Sequence, residues 1–495
     1  MPSDFDPYAM LGVVTGASVD DIKNAYRKIA RRLHPDSNRN HPGAAVQFSD
    51  ITAAYELLSD PIRRRTYDER SRNRQDSNEF YFTLRITPSK RKIAMLNEPQ
   101  VIYLLAEIFP DPRAASLGEK RDIRLNLTLV LDRSNSMNGA RLEKVKVAAQ
   151  QIIDNLTPND ILSVVVFNDR SEVVIPATTV RDKPALKARV SMMGASGGTE
   201  IFHGLQAGVE QNRVFRGPKL VNHIILLTDG RTFGDEEQCL ALAAAAAKDG
   251  IGISAMGLGN EWNDTFLDQI AAKTGGTSEY INTAGAVVRF LNDHVRGLSN
   301  AFAERLKLSV APDPDLQLEL AFRLAPSPQQ LEMTEPELPL GSLQMDRASS
   351  VLLQLQLPDN LDPGYRTIAR LVAQGDILQN KNQACQSISD LSLEVTEKPD
   401  AEEPSGAILN ALSKLTLYRL QERAQEALER GDIAEATKRL ENLATRLLAL
   451  GQSDLANQAL QEAQRVAHTS GLSEQGRMTI KYQTRHLLLN SNNES

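Results

Sequence analysis

The chain has 495 residues, of which 41% are hydrophobic, 24% charged and 5% aromatic, and its formal net charge is −7. This length predicts roughly two to four folded domains, and the acidic balance argues against nucleic acid as the main partner. Two cysteines cannot build a disulfide framework, and the start MPSDFDPYAM has no signal-peptide pattern. The longest apolar runs are too short for a membrane span. We therefore expect a cytoplasmic protein without membrane contact.

Helical periodicity dominates residues 4–68. Ser18 and Asp21 predict a capped helix start, since both residues can bond the free backbone amides there. Asp60 before Pro61 predicts the start of a further helix. The apolar residues at helical spacing behind the first cap are Ile22, Ala25, Tyr26, Ile29 and Leu33. We expect this helix and the one that follows to be antiparallel, with their apolar faces packed together.

The loop between these helices carries His34, Pro35 and Asp36. Proline disfavours helical geometry at the residue before it, so the helix should end at His34 and display the tripeptide. Four cations of the preceding helix form a patch beside it: Lys23, Arg27, Lys28 and Arg31. Such a patch suits docking onto an acidic protein surface. Taken separately, basic residues near a helix end also complement its dipole, and a His-Pro-Asp is an ordinary turn.

The flanking segments DPYAMLGV and FSDITAAYELLSDPIRRRTYD, with the basic helix and HPD, together resemble a J-domain, the module of DnaJ-type co-chaperones. Tyr8, Leu11 and Gly12 match the first helix of that family. The resemblance implies that the tripeptide is essential for engaging a DnaK-type (seventy-kilodalton heat-shock) chaperone and stimulating its ATP hydrolysis. The cations named above would supply attraction. No Gly/Phe-rich segment or cysteine-rich zinc module follows residue 68, so another part of the chain must hold the client.

The middle of the chain changes from helical to mixed patterns. Residues 69–79 are polar and predict a linker after the J-domain of residues 1–68. Residues 80–120 show the alternation of apolar and polar residues that is typical of β-strands. From 121 to 300, apolar strands alternate with helical periods, which indicates a parallel sheet covered on both faces.

Oxygen-bearing side chains follow three of these predicted strands. Asp132, Ser134 and Ser136 end the first strand, Thr199 lies in GGTEI, and Asp229 lies in LLTDGR. Ligands bind open α/β sheets at this edge, and an all-oxygen set suits a hard cation, Mg²⁺ or Mn²⁺. Three neutral hydroxyls and two carboxylates would leave the metal electrophilic, so that an acidic side chain of a partner could complete its shell. Each residue taken singly is an ordinary cap or turn residue.

This arrangement resembles the von Willebrand factor A domain and its metal-ion-dependent adhesion site, over about residues 121–300. The resemblance implies binding of protein ligands through an acidic residue. Ser134 and Ser136 would bind the metal directly. Asp132, Thr199 and Asp229 would bind it directly or through water.

We expect no catalytic activity. The seven histidines are scattered, no GxxxxGK[ST] phosphate loop is present, and two-metal hydrolysis needs more carboxylates than this site offers. Cys239 lies at a predicted helix start, where packing is the simpler role.

The remaining segments predict β structure and then helices. Residues 301–398 return to two-residue alternation with proline-rich turns, 399–406 read as a linker, and 407–495 are helical, with Gly431 and Gly451 as helix stops. Strands on both sides of the A-type domain suggest one β-sandwich that it interrupts, or else two independent small sheets. The tail suggests a self-packed helical bundle, with a partner-binding surface as the alternative.

The sequence therefore predicts a multidomain protein: an all-α J-domain, an α/β doubly wound (Rossmann-like) A-type domain inserted in or flanked by a β-sandwich, and a C-terminal helical domain. The function predicted is a co-chaperone adapter that recruits a DnaK-type chaperone and grips a client through the metal site. The rival is a non-chaperone, metal-dependent scaffold whose J-domain only docks a partner. A further alternative is a partner of an AAA-type ATPase in metal insertion or complex remodelling.

Overall fold

The computed structural model describes residues 7–11, 13, 16–34, 42–75, 80–117, 123–215, 217, 219–232, 234–333, 336–359, 361–380, 384–399 and 403–490. Two predicted chaperone-binding residues, Pro35 and Asp36, lie outside the described residues, and so does Gly12 of the first-helix match. Within the described part of the chain, no helix has the length and apolar character needed to cross a membrane.

Four helices form the N-terminal unit: α1 (Pro7–Leu11), α2 (Val19–Leu33), α3 (Pro42–Ser59) and α4 (Pro61–Gln75). The predicted cap is confirmed, because the Ser18 hydroxyl accepts from the Asp21 amide and the Asp21 carboxylate accepts from the Ser18 amide. Tyr26 and Tyr55 stack across α2 and α3 with ring centroids 4.3 Å apart. The small core shared by these helices contains Tyr8, Leu11, Ala17, Ile22, Ile51, Ala54 and Leu58.

The fourth helix runs further than the sequence pattern suggested. It continues to Gln75, so residues 69–75 of the predicted linker are helical. This stretch lacks glycine and proline, the two residues least compatible with a helix interior, so its sequence permits the helix to continue.

Six strands form the central sheet of the A-type domain: β4 (Arg124–Asp132), β5 (Ile161–Phe167), β6 (Ser171–Thr179), β7 (Leu220–Thr228), β8 (Gly252–Leu258) and β9 (Ser278–Ile281). Their order is β6-β5-β4-β7-β8-β9. Five strands are parallel, as predicted, but the edge strand β6 is antiparallel to β5. A short turn joins these two strands, and only an antiparallel pair can be joined that way.

Helices cover both faces of this sheet, which confirms the doubly wound class. They are α5 (Ala140–Asn155), α6 (Lys183–Ser191), α7 (Ile201–Arg213), α8 (Glu236–Lys248), α9 (Asp264–Thr274) and α10 (Val287–Ser299). Residues of α5, α6 and α10 share one apolar core, and residues of α7, α8 and α9 share the other. Cys239 is buried in α8, where burial raises the pKa of its thiol, in keeping with a packing role.

Strands from both sides of the A-type domain build one β-sandwich. The first segment supplies β1 (Thr83–Pro88), β2 (Lys92–Ala94) and β3 (Gln100–Phe109). The second supplies β10 (Ala301–Pro312), β11 (Gln317–Ala325), β12 (Gln329–Gln330), β13 (Glu337–Gln344), β14 (Ser349–Leu357), β15 (Gly364–Ile377) and β16 (Ala384–Thr396). The sheets have the orders β1-β3-β14-β11-β12 and β13-β10-β15-β16-β2. The alternative of two independent small sheets is wrong, because each sheet mixes strands from the two segments.

The C-terminal domain contains α11 (Gly406–Glu429), α12 (Ile433–Ala449), α13 (Ser453–Thr469) and α14 (Glu474–Asn490). Gly431 and Gly451 lie between helices with φ of 76° and 73°, as predicted for helix stops. These helices share a core, yet α11 also packs Ile408 and Leu415 against the sandwich, and α14 inserts Tyr482 into the A-type core. The expectation of a self-packed bundle is therefore only partly right.

Candidate metal centre and chaperone-binding face

The predicted metal residues lie where the order of the sheet reverses. The chain leaves β4 toward β5 on one side and later places β7 on the other side of β4. Asp132 is the last residue of β4, and Asp229 follows the last residue of β7. The two carboxylates therefore meet at the carboxyl edge, where a crevice forms between neighbouring strands.

A tight turn brings the two serines to the same crevice. Met137 is fully buried and anchors a short 3₁₀ turn over Asn135–Met137. The hydroxyl oxygens of Ser134 and Ser136 lie 2.9 Å apart, and the Ser136 hydroxyl donates to Oδ1 of Asp229 at 2.6 Å.

Thr199 reaches the site on a third loop. The Asn135 amide donates to the Gly197 carbonyl at 3.0 Å, and the Gly198 amide donates to Oδ1 of Asp169 at 2.9 Å. A Cβ placed on Gly230 would lie 3.1 Å from the Thr199 hydroxyl oxygen, so that hydroxyl lies beside the residue that follows Asp229. The structure thus brings all five predicted residues into one cluster.

Asp132 is buried and held by hydrogen bonds to both of its oxygens. The Ser134 amide donates to Oδ1 at 2.7 Å, and the Thr228 hydroxyl donates to Oδ2 at 2.6 Å. Burial raises the pKa of Asp132 to about 6, these hydrogen bonds act to lower it, and the nearby charge of Asp229 adds to the rise. Two carboxylates in this setting favour a cation between them.

Arg141 is a residue of this site that the sequence analysis missed. Its Nη1 lies 2.5 Å from Oδ2 of Asp229, whose side chain is fully buried, whereas the Arg141 side chain is 41% exposed. The same nitrogen lies 3.3 Å from the Ser136 carbonyl oxygen. Thr228 was missed as well. The available signals were a hydroxyl directly before Asp229 and a cation at the start of the helix that follows Ser136.

The donor set fits a hard, six-coordinate cation. Adjacent ligands of octahedral Mg²⁺ lie about 3 Å apart, because each bond is about 2.1 Å long and neighbouring bonds are perpendicular. The 2.9 Å between the two serine oxygens matches that spacing. No group of three or more His, Cys, Asp or Glu side chains suited to a metal occurs among the described residues. The cluster is thus a mixed hydroxyl and carboxylate set of low charge.

The predicted chaperone-binding face lies on α2 and the residue that ends it. The four cations Lys23, Arg27, Lys28 and Arg31 are exposed. His34 is exposed, and its φ of −58° and ψ of 131° take the backbone out of the helix, as expected before proline. The His34 ring meets Phe48 of α3 edge-on, with centroids 5.5 Å apart.

Family models match three parts of the chain. One described as "DnaJ domain" matches residues 6–68, and one described as "von Willebrand factor type A domain" matches residues 126–292. A third, described as "Sll0103-like, C-terminal alpha-helical domain", matches residues 406–490.

Individual proteins match the same regions. The "Uncharacterized protein sll0103" of Synechocystis is 32% identical over 335 residues, which cover 66% of this chain and 79% of that protein. The "Chaperone protein DnaJ" of Carboxydothermus hydrogenoformans is 52% identical over 64 residues, only 13% of this chain and 17% of that protein. The chain thus shares a small part of that relative's length.

Two solved structures share the fold over most of the chain. A von Willebrand factor type A protein from Catenulispora acidiphila has a TM-score of 0.65 at 16% identity, covering 83% of this chain and 98% of that one. The ArnB paralog VWA2 from Sulfolobus acidocaldarius has a TM-score of 0.53 at 15% identity, covering 82% and 98%. Such coverage exceeds the A-type domain, so the likeness in fold extends to the domains around it.

Proposed function

Since the chain belongs to the Sll0103-like family and carries both a DnaJ domain and a von Willebrand factor type A domain, we propose that it is a non-enzymatic co-chaperone adapter. Its J-domain would recruit a DnaK-type ATPase, and its A-type domain would bind the protein on which that ATPase acts. The observation that carries the proposal is the presence, in one chain, of an exposed basic helix ending at His34 and a converged set of five metal-site residues.

Recruitment would act through the charge of α2 and through the tripeptide that begins at His34. Lys23, Arg27 and Arg31 present three cations along one side of α2, and an acidic chaperone surface would be drawn to them. His34 lies at the end of this row, held against Phe48. We assign to His34, with the neighbouring Pro35 and Asp36, the contact that stimulates ATP hydrolysis by the chaperone.

Client binding would use the cluster of five residues at the carboxyl edge of the A-type sheet. Ser134 and Ser136 would hold Mg²⁺ or Mn²⁺ directly, and Asp132, Thr199 and Asp229 would hold it directly or through water. The cation would supply Lewis acidity toward an acidic side chain of the client. The chain's own residues orient this set: the Thr228 hydroxyl and the Ser134 amide fix the Asp132 carboxylate, and the Ser136 hydroxyl donates to Asp229. A buried network of this kind keeps the hydroxyls aligned before a client arrives.

The experiment that tests the proposal is single-turnover ATP hydrolysis by the DnaK-type chaperones of the host, with and without this protein. We expect stimulation by the unmodified chain and its loss with His34→Gln, which keeps a similar size but removes the imidazole. A matched control is His468→Gln, an exposed histidine at the end of α13. No stimulation of any host chaperone would contradict the adapter function and favour the scaffold, in which the J-domain only docks a partner.

A further inference from the structure

The J-domain lies against the β-sandwich, and side-chain contacts between described residues join them. Asp50 of α3 accepts a hydrogen bond from Arg370 of β15, with Oδ2 and Nη2 2.6 Å apart. Lys28 of α2 places its ammonium nitrogen 5.5 Å from the ring centroid of Tyr365, also on β15. A single strand of the sandwich therefore contacts two helices of the J-domain.

The sandwich holds its side of this contact in a fixed position. Arg370 is clamped by Asp390 of β16, with Nε 2.7 Å from Oδ1 and Nη2 2.8 Å from Oδ2. The two residues face each other in the strand register, and their side chains are 26% and 23% exposed. The hydrogen bonds to Asp390 and then to Asp50 raise the pKa of Arg370. The guanidinium is therefore oriented toward the J-domain at little further loss of entropy.

Lys28 and Asp50 form one face of the J-domain. Helices α2 and α3 are antiparallel, and the Tyr26 hydroxyl lies 3.4 Å from the Thr52 hydroxyl, which sets these parts of the helices at the same level. Lys28 is two residues from Tyr26, and Asp50 is two residues from Thr52. Because both helices contribute, the docked face includes one edge of the basic patch.

This contact engages Lys28, one of the four cations expected to attract the chaperone. Lys28 cannot lie over Tyr365 and face an acidic chaperone surface at the same time. We propose that the outer side of β15, around Tyr365 and Arg370, is a docking surface for the chain's own J-domain and competes with the DnaK-type chaperone for α2. Recruitment is attenuated while the J-domain is docked. The inference rests on the proposed co-chaperone function.

The contact attenuates recruitment and does not block it. Lys23, Arg27 and Arg31 stay exposed when the J-domain is docked, and so does His34. The cation–π contact lies at an exposed site, and the ion pair joins side chains that are 26% and 32% exposed. Together they favour the docked state by about three- to tenfold. A chaperone with moderate affinity for α2 displaces the sandwich at sufficient concentration.

The test uses the full chain and titrates it below saturation into single-turnover ATP hydrolysis by the host's DnaK-type chaperone. Tyr365→Ser combined with Arg370→Gln should lower the concentration for half-maximal stimulation about three- to tenfold. Asp50→Arg should have the same effect from the J-domain side, because it faces Arg370 with a like charge. Adding Arg370→Glu to Asp50→Arg should restore attenuation. The matched control is Lys307→Gln, which breaks an exposed pair with Glu337 elsewhere in the same sheet and should leave the curve unchanged.

The outcomes separate this inference from the function on which it rests. If His34→Gln abolishes stimulation while the docking variants follow the unmodified chain, the docking inference is overturned and the co-chaperone function stands. If neither the unmodified chain nor the docking variants stimulate, both are overturned. Increased stimulation that the charge swap reverses, and that His34→Gln abolishes in every background, supports both.

Discussion

At the scale of single residues, two side chains with opposite expected effects on cation binding donate hydrogen bonds to the same carboxylate of the metal cluster. Asp229 accepts from Ser136 through Oδ1 and from Arg141 through Oδ2. The serine is a predicted ligand of the cation. The arginine is a fixed positive charge a few ångströms away, and it competes with a cation for the same carboxylate.

Substituting these two residues should therefore change cation affinity in opposite directions. Ser136→Ala removes a ligand and should weaken Mn²⁺ binding about tenfold or more. Arg141→Gln removes the competing charge and should tighten it by up to about tenfold. Isothermal titration with Mn²⁺ at fixed ionic strength measures both. A weaker affinity with Arg141→Gln would show that Arg141 serves mainly to position Asp229.

Glycine at 257 is required by a close approach that the sequence does not reveal. A Cβ on this residue would lie 1.8 Å from Cε2 of Trp262, a fully buried side chain. Gly257→Ala must push the indole out of its packed position, and we expect a loss of about 3 kcal/mol in the free energy of unfolding. Gly285→Ala is the control, since nothing lies within 4 Å of its added Cβ. Urea denaturation that gave equal stability for the two variants would contradict this account.

The residues that the sequence predicted are those whose signals are local. His34 and the basic helix, the Asp132 to Ser136 motif and the glycine helix stops each need only a few neighbouring residues to be recognised. Arg141, Thr228 and the Gly257 contact depend on loops that meet only after folding, so no spacing in the chain points to them. The pairing of β3 with β14 is of the same kind, because those strands are separated by the whole A-type domain.

At the scale of elements, α14 is attached to α9 by a buried ionic cluster. Arg485 makes two hydrogen bonds to Asp268, at 2.9 and 2.7 Å, and Lys481 lies 2.9 Å from the same carboxylate. Arg477 pairs with Asp264 one turn earlier, at 2.6 Å. The Asp268 side chain is only 13% exposed, so these contacts are shielded from solvent. Removing one charged residue from such a cluster lowers the free energy of unfolding strongly, since a charge that remains stays buried without that partner.

Asp268→Ala should therefore destabilise the packing of α14 by about 3 kcal/mol, because it leaves Arg485 without its buried carboxylate and leaves Lys481 with Asp264 alone. Limited proteolysis and urea unfolding would measure it. Asp293→Ala is the control, since Asp293 and its partner Arg296 are 61% and 80% exposed and their nitrogen–oxygen distance is 3.7 Å. We expect that control to change stability by less than about 0.5 kcal/mol. Equal effects of the two substitutions would contradict a buried role for the cluster.

The same cluster predicts a dependence on pH. Burial by itself raises the pKa of Asp268, but Arg485 and Lys481 outweigh it and hold that pKa well below its usual range. The pKa of Asp264 is also lowered, because Lys481 and Arg477 outweigh burial. The stabilisation is therefore complete above the unfolded-state pKa of about 3.9 and is lost as the pH falls toward the folded-state values. Unfolding of the Asp268→Ala variant, followed by circular dichroism, should show a weaker acid dependence below about pH 4 than the unmodified chain.

At the scale of the whole molecule, the A-type domain depends on parts of the chain far from it in sequence. Tyr482 of α14 packs against Trp262 and Tyr280, with ring centroids 5.7 and 5.8 Å apart. From the sandwich, the buried Arg323 donates to the carbonyls of Gly275 and Gly276, at 3.1 and 2.7 Å. These contacts tie the sandwich, the A-type domain and the last helix into one folding unit. The contacts described above for the J-domain are of another kind, an ion pair between partly exposed side chains and a cation–π contact.

Two truncations should therefore behave differently. Residues 80–495 keep every contact of that unit, and we expect them to unfold at the temperature of the full chain. Residues 1–404 lose Met478 and Tyr482 from the A-type core, each contributing about 1.5–3 kcal/mol through burial, together with the charges that pair with Asp264 and Asp268. That variant should unfold at a markedly lower temperature or be cut rapidly within residues 126–292. Differential scanning calorimetry with limited proteolysis would decide, and a fully stable 1–404 chain would show that the A-type domain folds without the C-terminal helices. The metal cluster lies at the carboxyl edge of the sheet in that same domain. Loss of the last helix should therefore also weaken Mn²⁺ binding, although no residue of α14 is among the five that converge there.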